Sequence, residues 1–292
     1  MEWLTCIRTA IDYIERHLTE DIRAQEIAER VYLSPFFFQK GFSLMTGYGM
    51  SEYVRNRRLY QAALDLKETD DKVIDIALRY GYETPESFAK AFSRFHGASP
   101  SQVRAGAPIR VFLPLKIQIR IQGGDQMNCT IQTIGPIRVI GFERIFDMES
   151  SYAEIPKYWT EIFKTYGNGK NSPENPYEKA IRENGIGEYG VCIDDIGGGK
   201  FRYLIAGAYK GGFVPEGMTV YTLPESDWAV FDCVGPIPET LQKVNTQIFR
   251  EWLPGNAEYE LCGSANIEWY SADGRTTDPD YHSAIWVPVK KK

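Results

Sequence analysis

The sequence predicts a two-domain protein: an all-α N-terminal domain with tandem helix-turn-helix units, and an α+β C-terminal domain with a pseudo-duplicated antiparallel sheet. The chain has 292 residues, which exceeds the usual size of one domain. One segment repeats within the first third, and after residue 105 the helical period gives way to alternating apolar and polar residues. We place the domains at 1–107 and 126–292, with a linker and the first hairpin strand at 108–125.

The composition indicates an ordinary globular protein, with 43% hydrophobic and 25% charged residues. No apolar run approaches the roughly 18 residues that a membrane span needs. Glu2, Asp12 and Glu15 interrupt the apolar pattern at the start of the chain, which argues against a signal peptide. We therefore expect a cytoplasmic protein with no membrane partner.

The cysteines and histidines do not predict a disulfide frame, a metal site or a cofactor. The five cysteines are scattered and never form a CxxC pair, which is typical of reduced thiols in the cytosol. The three histidines lie in unrelated segments without ligand spacing. The residues concerned are Cys6, Cys129, Cys192, Cys233, Cys262, His17, His96 and His282.

The formal net charge is −6, whereas nucleic-acid binders tend to be basic. Residues 1–105 carry 14 Lys and Arg against 15 Asp and Glu. Any affinity of this region for DNA must therefore depend on where its charges lie, because their total gives no attraction.

The internal repeat begins at Ile27 and again at Ile76. Its first residues match at an offset of 49, and after one extra residue in the turn the offset becomes 50. The second register pairs Ser34, Pro35, Phe38, Lys40, Phe42 and Gly47 with Thr84, Pro85, Phe88, Lys90, Phe92 and Gly97. This agreement, which includes a proline and a glycine at punctuating positions, indicates duplication.

Each copy has the pattern of a helix-turn-helix unit. A short amphipathic helix ends at a turn, Ser34 or Thr84 caps the next helix, and a proline occupies its first position. The second helix of such a unit enters the major groove of DNA. We predict that its outward face contacts DNA through Phe36, Phe37, Gln39, Lys40 and Ser43 in the first copy, and through Glu86, Lys90 and Arg94 in the second.

A longer helix between the copies, starting at Ser51, can hold the two recognition helices about 34 Å apart, one turn of DNA. A single chain could then read two successive major grooves without dimerising. We expect Arg55, Arg57 and Arg58 to face outward, as a solvated face or as a row of phosphate contacts. Phe36 and Phe37 could also be ordinary core residues, or Phe36 could contact a thymine methyl group.

The segment from Leu4 to Arg104 resembles the AraC/XylS family. The most specific part is AxRYGYxTPExFxKAFxRxxGxSPxxxR, from Ala77 to Arg104. The resemblance implies seven helices, an asymmetric site on double-stranded DNA near promoters, contact with RNA polymerase, and activation of transcription. It also implies base contacts from Phe36, Gln39 and Lys40. Pro85, Glu86 and Ala89 depart from the polar, uncharged pattern, so we expect Lys90 and Arg94 to contact phosphates.

The C-terminal half mixes strands and helices. KIQIRIQ, GGDQ and MNCTIQTI predict a hairpin, and VIGFERIF and WAVFDCVG predict strands. YAEIPKYWTEIFKTYG and PETLQKVNTQIFREWL predict amphipathic helices. A strand followed by a helix, twice, predicts an α+β domain with internal duplication.

This half resembles the GyrI-like effector-binding family. The resemblance rests on PIRVIGFER, YAEIPKYW, WAVFDCVGPIPET, IEWYSADG and AIWVPV, in this order. It implies an aromatic-lined, multidrug-type pocket for hydrophobic or cationic small molecules, with Glu268 as its carboxylate. Strand alternation places Asn266, Glu268 and Tyr270 on one face and Trp269 on the other. The predicted ligand-binding residues are Glu268, Tyr270, Tyr152, Trp159, Trp228 and Asn266.

The chemistry of these residues suits a cation, because a bound cation offsets the cost of desolvating a carboxylate and aromatic faces attract it. Glu268 could instead be a structural carboxylate bonded to the backbone or a tyrosine. Three functions remain open: a regulator controlled by an effector, a DNA binder whose second domain takes no ligand, and a hydrolase of reactive small molecules that uses Glu268. Because no nucleophile–base pair accompanies Glu268, we expect a non-enzymatic regulator.

Overall fold

The computed structural model describes residues 3–117, 127–148, 150–166, 175–197 and 199–292. The N-terminal part is entirely helical, as predicted. Its seven helices are α1 (Trp3–Arg16), α2 (Ala24–Arg30), α3 (Pro35–Thr46), α4 (Met50–Glu68), α5 (Val73–Arg79), α6 (Pro85–His96) and α7 (Pro100–Arg104).

The helices α2–α3 and α5–α6 form the two units that the repeat predicts. The Ser34 hydroxyl accepts a hydrogen bond from the Phe37 amide, and the Thr84 hydroxyl accepts one from the Ser87 amide, each at 3.2 Å. Both recognition helices end at a glycine in the left-handed conformation, with φ of 78° at position 47 and 77° at position 97. The same start and stop chemistry therefore shapes both helices.

The central helix α4 differs from the prediction in what its arginines do. Arg55 is exposed, but Arg57 is only 2% exposed and pairs with Glu15 of α1 at 2.7 Å. Arg58 donates to the backbone carbonyl of Leu18 at 2.7 Å. Because α4 is packed against both units, two of the three arginines hold helices together and only Arg55 faces outward.

The C-terminal part forms one antiparallel sheet, whose described strands lie in the order β1-β6-β9-β8-β3-β4-β2-β5, with β7 paired to β9. The strands are β1 (Cys129–Ile134), β2 (Ile137–Asp147), β3 (Tyr189–Gly197), β4 (Lys200–Ala208), β5 (Met218–Leu223), β6 (Ser226–Val234), β7 (Tyr259–Leu261), β8 (Ala265–Tyr270) and β9 (His282–Lys291). The helices are α8 (Ser151–Tyr166), α9 (Pro176–Asn184), α10 (Glu239–Gln247) and, after a π-helical segment at Ile248–Trp252, α11 (Leu253–Gly255).

The predicted strands and helices of this part are confirmed, with one exception. In the predicted hairpin, Lys116 and Ile117 are not in a strand, and residues 118–126 lie outside the described residues. The second predicted strand of the hairpin is β1, which pairs with β6.

The two faces of the sheet bury different cores. One face, with Phe201, Tyr203 and Ile205 of β4, packs against helices of both halves of the chain in a single apolar cluster. The other face, with Leu204 and Ala206, contributes to a cluster whose buried members all lie on strands. The first face of the sheet therefore packs against the helices, and the second face carries a separate cluster of strand residues.

No helix in the described ranges is long and apolar enough to cross a membrane. The described residues also contain no group of three or more His, Cys, Asp or Glu side chains placed to hold a metal ion.

Candidate functional site

A cavity of about 1000 Å³ lies between the first face of the sheet, α8, α10 and the recognition helix α3. Both halves of the chain line it. The helical half contributes Phe36, Gln39, Lys40, Ser43 and Leu44, and the sheet half contributes Tyr152, Trp159, Phe163, Cys192, Phe201, Asn245, Glu268 and Tyr270, among others.

Glu268 presents its carboxylate to this cavity from β8. Its Oε2 atom accepts hydrogen bonds from the hydroxyls of Tyr203 at 2.9 Å and Tyr270 at 2.8 Å. Burial and the charge of Glu268 hold the pKa of both tyrosines well above the ordinary value, so both hydroxyls stay protonated and donate. Within the described part of the chain, Oε1 receives no hydrogen bond and remains available to a ligand.

Gly190 makes room for this arrangement. It lies opposite Glu268 in the β3–β8 register, and a Cβ atom there would lie 2.2 Å from the Tyr203 hydroxyl and 2.9 Å from Glu268 Oε2. Sequence reasoning missed both Gly190 and Tyr203. A glycine inside a strand signals close approach by another group, but only the fold shows which group approaches.

Aromatic side chains form one wall of the cavity. The Trp159 indole donates to the Tyr203 hydroxyl at 2.9 Å, and its ring lies edge-on to Tyr270 with centroids 4.9 Å apart. The Tyr152 hydroxyl accepts from the Asn245 amide at 2.7 Å. Burial of this hydroxyl, followed by the charge of Glu268, raises the pKa of Tyr152 to about 12. Four of the six predicted ligand-binding residues therefore meet here.

The other two predicted ligand-binding residues do not line the cavity. Trp228 is 1% exposed and lies in the strand-only core on the opposite face, because alternation along β6 gives the first face to Ala229 and Phe231. Asn266 is on the same face as Glu268 but is 1% exposed, opposite Cys192. Its side-chain amide has no hydrogen-bond partner among the described residues.

The predicted DNA-contacting face of α3 is not a free surface in this structure. Phe36 and Phe37 are 3% and 1% exposed, which corrects the expectation that they point outward. Phe36 packs against Phe201 of β4, with ring centroids 5.3 Å apart. Gln39 and Lys40 are half-buried and line the cavity, and Ser43 is exposed at its edge. The physical reason is that the sheet domain covers this face.

The second recognition helix α6 is different. Glu86, Lys90 and Arg94 are exposed, whereas Phe88 and Phe92 are fully buried beneath them. The buried stripe at i and i+4 fixes which side of α6 faces solvent. In the described structure, α6 therefore presents its predicted DNA-contacting face and α3 does not.

Each half of the chain matches the model of a known protein family. Residues 27–106 match the helix-turn-helix domain model, and residues 130–289 match the model of the integron-associated effector binding protein. The HTH-type transcriptional activator AarP of Providencia stuartii is 38% identical over 92 residues, which cover 32% of this chain and 68% of AarP. An uncharacterized HTH-type transcriptional regulator of Staphylococcus aureus is 35% identical over 102 residues.

Those 102 residues cover 35% of this chain and 14% of the S. aureus relative, so the chain spans a small part of such relatives. Among solved structures, SAV2435 bound to tetraphenylphosphonium resembles this chain with a TM-score of 0.47 and 22% identity, over 56% of this chain and 94% of that chain. The chain belongs to the AraC-type helix-turn-helix family of DNA-binding transcription regulators, and it carries a C-terminal effector-binding domain of the integron-associated, GyrI-like family.

Proposed function

We propose that this regulator activates transcription, that it contacts DNA through α3 and α6, and that a hydrophobic cation bound at Glu268 is its effector. The observation that carries the effector assignment is the carboxylate of Glu268, which projects from the sheet into a large aromatic-lined cavity. Two buried tyrosine hydroxyls, those of Tyr203 and Tyr270, hold one of its oxygen atoms in place.

The electrostatics of the cavity favour a cation as the effector. A carboxylate surrounded by apolar side chains has lost part of its hydration, and an approaching positive charge recovers that cost. The faces of Trp159 and Tyr152 add cation–π attraction of roughly 0.5–2 kcal/mol. Glu268 is fixed before any ligand enters, so little ordering entropy is lost on binding.

The shape of the cavity favours a bulky, apolar molecule. A volume of about 1000 Å³ is at the upper end of the range for drug-sized ligands. Ile155, Phe163 and Phe201 supply apolar surface that would cover such a molecule. A small hydrated cation would leave this surface in contact with water.

Contact with DNA is proposed from the two recognition helices. Gln39 and Lys40 are suited to read base edges from α3, and Lys90 and Arg94 are suited to bind phosphates from α6. Lys40 and Lys90 occupy equivalent positions, but Gln39 corresponds to Ala89 and Leu44 to Arg94, so the DNA site would be asymmetric. Activation is proposed from the likeness to AarP, a transcriptional activator, and contact with RNA polymerase is proposed as the means of that activation.

The effector proposal is tested with tetraphenylphosphonium as the probe and tetraphenylborate, a tetraphenyl anion of nearly the same shape, as its matched control. Quenching of tryptophan fluorescence reports binding next to Trp159. At an effective dielectric constant of about 20, a cation some 5 Å from Glu268 gains about 3 kcal/mol, so Glu268→Gln should weaken binding by roughly 100-fold. If neither ion binds, or if both bind equally to the wild type and the variant, the cation proposal is wrong.

The DNA proposal is tested on a duplex that the full-length protein enriches from a random-sequence library. Gln39→Ala and Lys40→Ala should each weaken this duplex by about 1–3 kcal/mol and leave unrelated DNA nearly unchanged. Lys90→Ala is the matched variant for a phosphate contact, and it should weaken both duplexes equally. Equal losses on both duplexes for all three variants would remove base reading from α3.

A further inference from the structure

The recognition helix α3 closes the effector cavity. Four of its five predicted DNA-contacting residues line that cavity, and those of α6 lie on the open surface. A helix that lies in the major groove must expose this same face to base edges. Occupation of the groove by α3 and occupation of the cavity wall by α3 therefore exclude each other.

The helical half docks through a hydrogen bond to a backbone carbonyl in the π-helical segment of the effector domain. In the π-helical segment after α10, the Leu253 amide bonds to the Ile248 carbonyl, five residues back. The same pattern would pair the Phe249 carbonyl with residue 254, which is a proline and has no N–H group. The Trp3 indole of α1 instead donates to this buried carbonyl at 2.9 Å.

Three more contacts hold α3 itself. Arg250 donates from its Nε atom to the Leu44 carbonyl at 2.6 Å, near the end of α3. Phe36 packs on Phe201 of β4. Gly41 has no side chain where a Cβ atom would lie 2.1 Å from the Trp3 ring and 3.0 Å from the Phe249 ring. Residues of α3 therefore contact the effector domain as well as the core of the helical half.

The charges across the cavity give the docked state a link to the ligand. Lys40 lies with its Nζ atom 5.3 Å from the Phe36 ring and 5.9 Å from the Phe249 ring, at the cavity wall. Glu268 faces the same cavity. The buried Cys192 thiol lines the same cavity. Its pKa is raised first by burial and then by the charge of Glu268, and the charge of Lys40 lowers it, so the thiol is within electrostatic range of both. Lys40 is therefore a protein cation placed in the field of the carboxylate.

We propose that docking of α3 on the effector domain holds the regulator off DNA, and that a cation bound at Glu268 releases α3 by neutralising the carboxylate and repelling Lys40. This inference rests on the proposed function, because it assigns the regulation of that same site. The ligand acts by binding the released state more tightly than the docked state, which is the differential affinity that a shift of population requires. Gln39 and Lys40 thus line the cavity in the docked state and contact DNA in the released state.

Lysine acylation followed by mass spectrometry tests the release directly on the full chain. Tetraphenylphosphonium should raise the labelling rate of Lys40 by about fivefold or more. Release breaks at least one hydrogen bond across the interface, and the net contribution of one such bond corresponds to about a fivefold change in the population of the released state. Labelling of Lys90, on the exposed face of α6, is the internal control and should not change. The affinity for the library-selected duplex should rise by a comparable factor, because only the released fraction binds.

Two variants release α3 without touching the cavity lining or the proposed DNA contacts. Trp3→Phe keeps the ring and removes the indole donor, and Arg250→Ala removes the bond to α3. Each should raise Lys40 labelling and DNA affinity by about fivefold without ligand, and each should shrink the effect of tetraphenylphosphonium. If Trp3→Phe fails to fold, Arg250→Ala still decides the matter. Lys243→Ala, an exposed lysine on α10, is the matched control and should change neither quantity.

The outcomes separate the two proposals. If tetraphenylphosphonium does not quench the fluorescence at all, the proposed effector site fails. If it binds but leaves Lys40 labelling and DNA affinity unchanged, or lowers them, the site stands and the release mechanism is wrong. If Arg250→Ala behaves as Lys243→Ala does, docking does not control α3.

Discussion

Gly190→Ala tests whether the Tyr203–Glu268 contact organises the cavity. The backbone at Gly190 is outside the left-handed region, so alanine costs nothing there in conformation. The new methyl group would lie 2.2 Å from the Tyr203 hydroxyl and 2.9 Å from Glu268 Oε2. The hydroxyl must therefore move by about 1 Å to restore an ordinary contact distance.

The magnitude follows from what the Tyr203 hydroxyl gives up. It donates to Glu268 and accepts from the Trp159 indole, and each of these hydrogen bonds contributes about 1 kcal/mol net. Tyr203 is fully buried, so overpacking adds about 1–3 kcal/mol. We expect the free energy of unfolding to fall by about 3 kcal/mol. Affinity for tetraphenylphosphonium should fall about tenfold, because the displaced hydroxyl no longer fixes the carboxylate.

Urea denaturation of four proteins measures this effect: the wild type, Gly190→Ala, Tyr203→Phe, and the double variant. Phenylalanine removes the oxygen atom that the methyl group would meet. The loss in free energy of unfolding caused by Gly190→Ala should therefore be smaller by at least about 1 kcal/mol in the Tyr203→Phe background than in the wild type. Additive losses would mean that the methyl group and the hydroxyl do not meet, and the described geometry around Glu268 would be wrong.

Two further predictions concern the helical half. Glu15→Gln should lower the free energy of unfolding by about 3 kcal/mol in urea, because it leaves the charge of Arg57 buried without its partner. Asp21→Asn, which breaks an exposed ion pair, should change it by less than about 0.5 kcal/mol, and equal losses would contradict the burial of Arg57. Burial lowers the pKa of His96 below 6.5, and its Nδ1 atom accepts from the Arg110 amide at 3.1 Å. The folded state therefore favours the neutral ring, so the stability that His96 contributes is complete above pH 6.5 and is lost as the pH falls through its lowered folded pKa. Stability measured between pH 7.5 and 5 should show this loss, and His96→Gln should reduce it; an unchanged pH profile would exclude His96 as the source.

Local chemistry made most of the fold predictable. Ser34, Thr84 and the prolines that follow them determine where the recognition helices begin, and period-2 alternation places Glu268 and Tyr270 on one face of a strand. These signals act within a few residues of each other. The internal repeat shows the same cap, proline and apolar stripe twice, which supports the helix-turn-helix prediction independently.

Contacts between distant segments could not be predicted in this way. Phe36 has the position of an exposed helix residue, and only the approach of Phe201, far along the chain, buries it. Arg57 follows the same logic, since its partner Glu15 lies on another helix. For Trp228, the strand was predicted correctly, but the pattern alone did not tell which face of the sheet bounds the cavity.

Under the proposed release mechanism, a cation at Glu268 and DNA at α3 bind the same released state of the protein. Thermodynamic linkage then requires a reciprocal effect. The measurement is the dissociation constant of tetraphenylphosphonium for the full chain, with and without a saturating amount of the library-selected duplex. We predict that DNA tightens tetraphenylphosphonium binding by the same factor by which tetraphenylphosphonium tightens DNA binding. A dissociation constant that DNA leaves unchanged, or increases, would contradict the release of α3 by the cation.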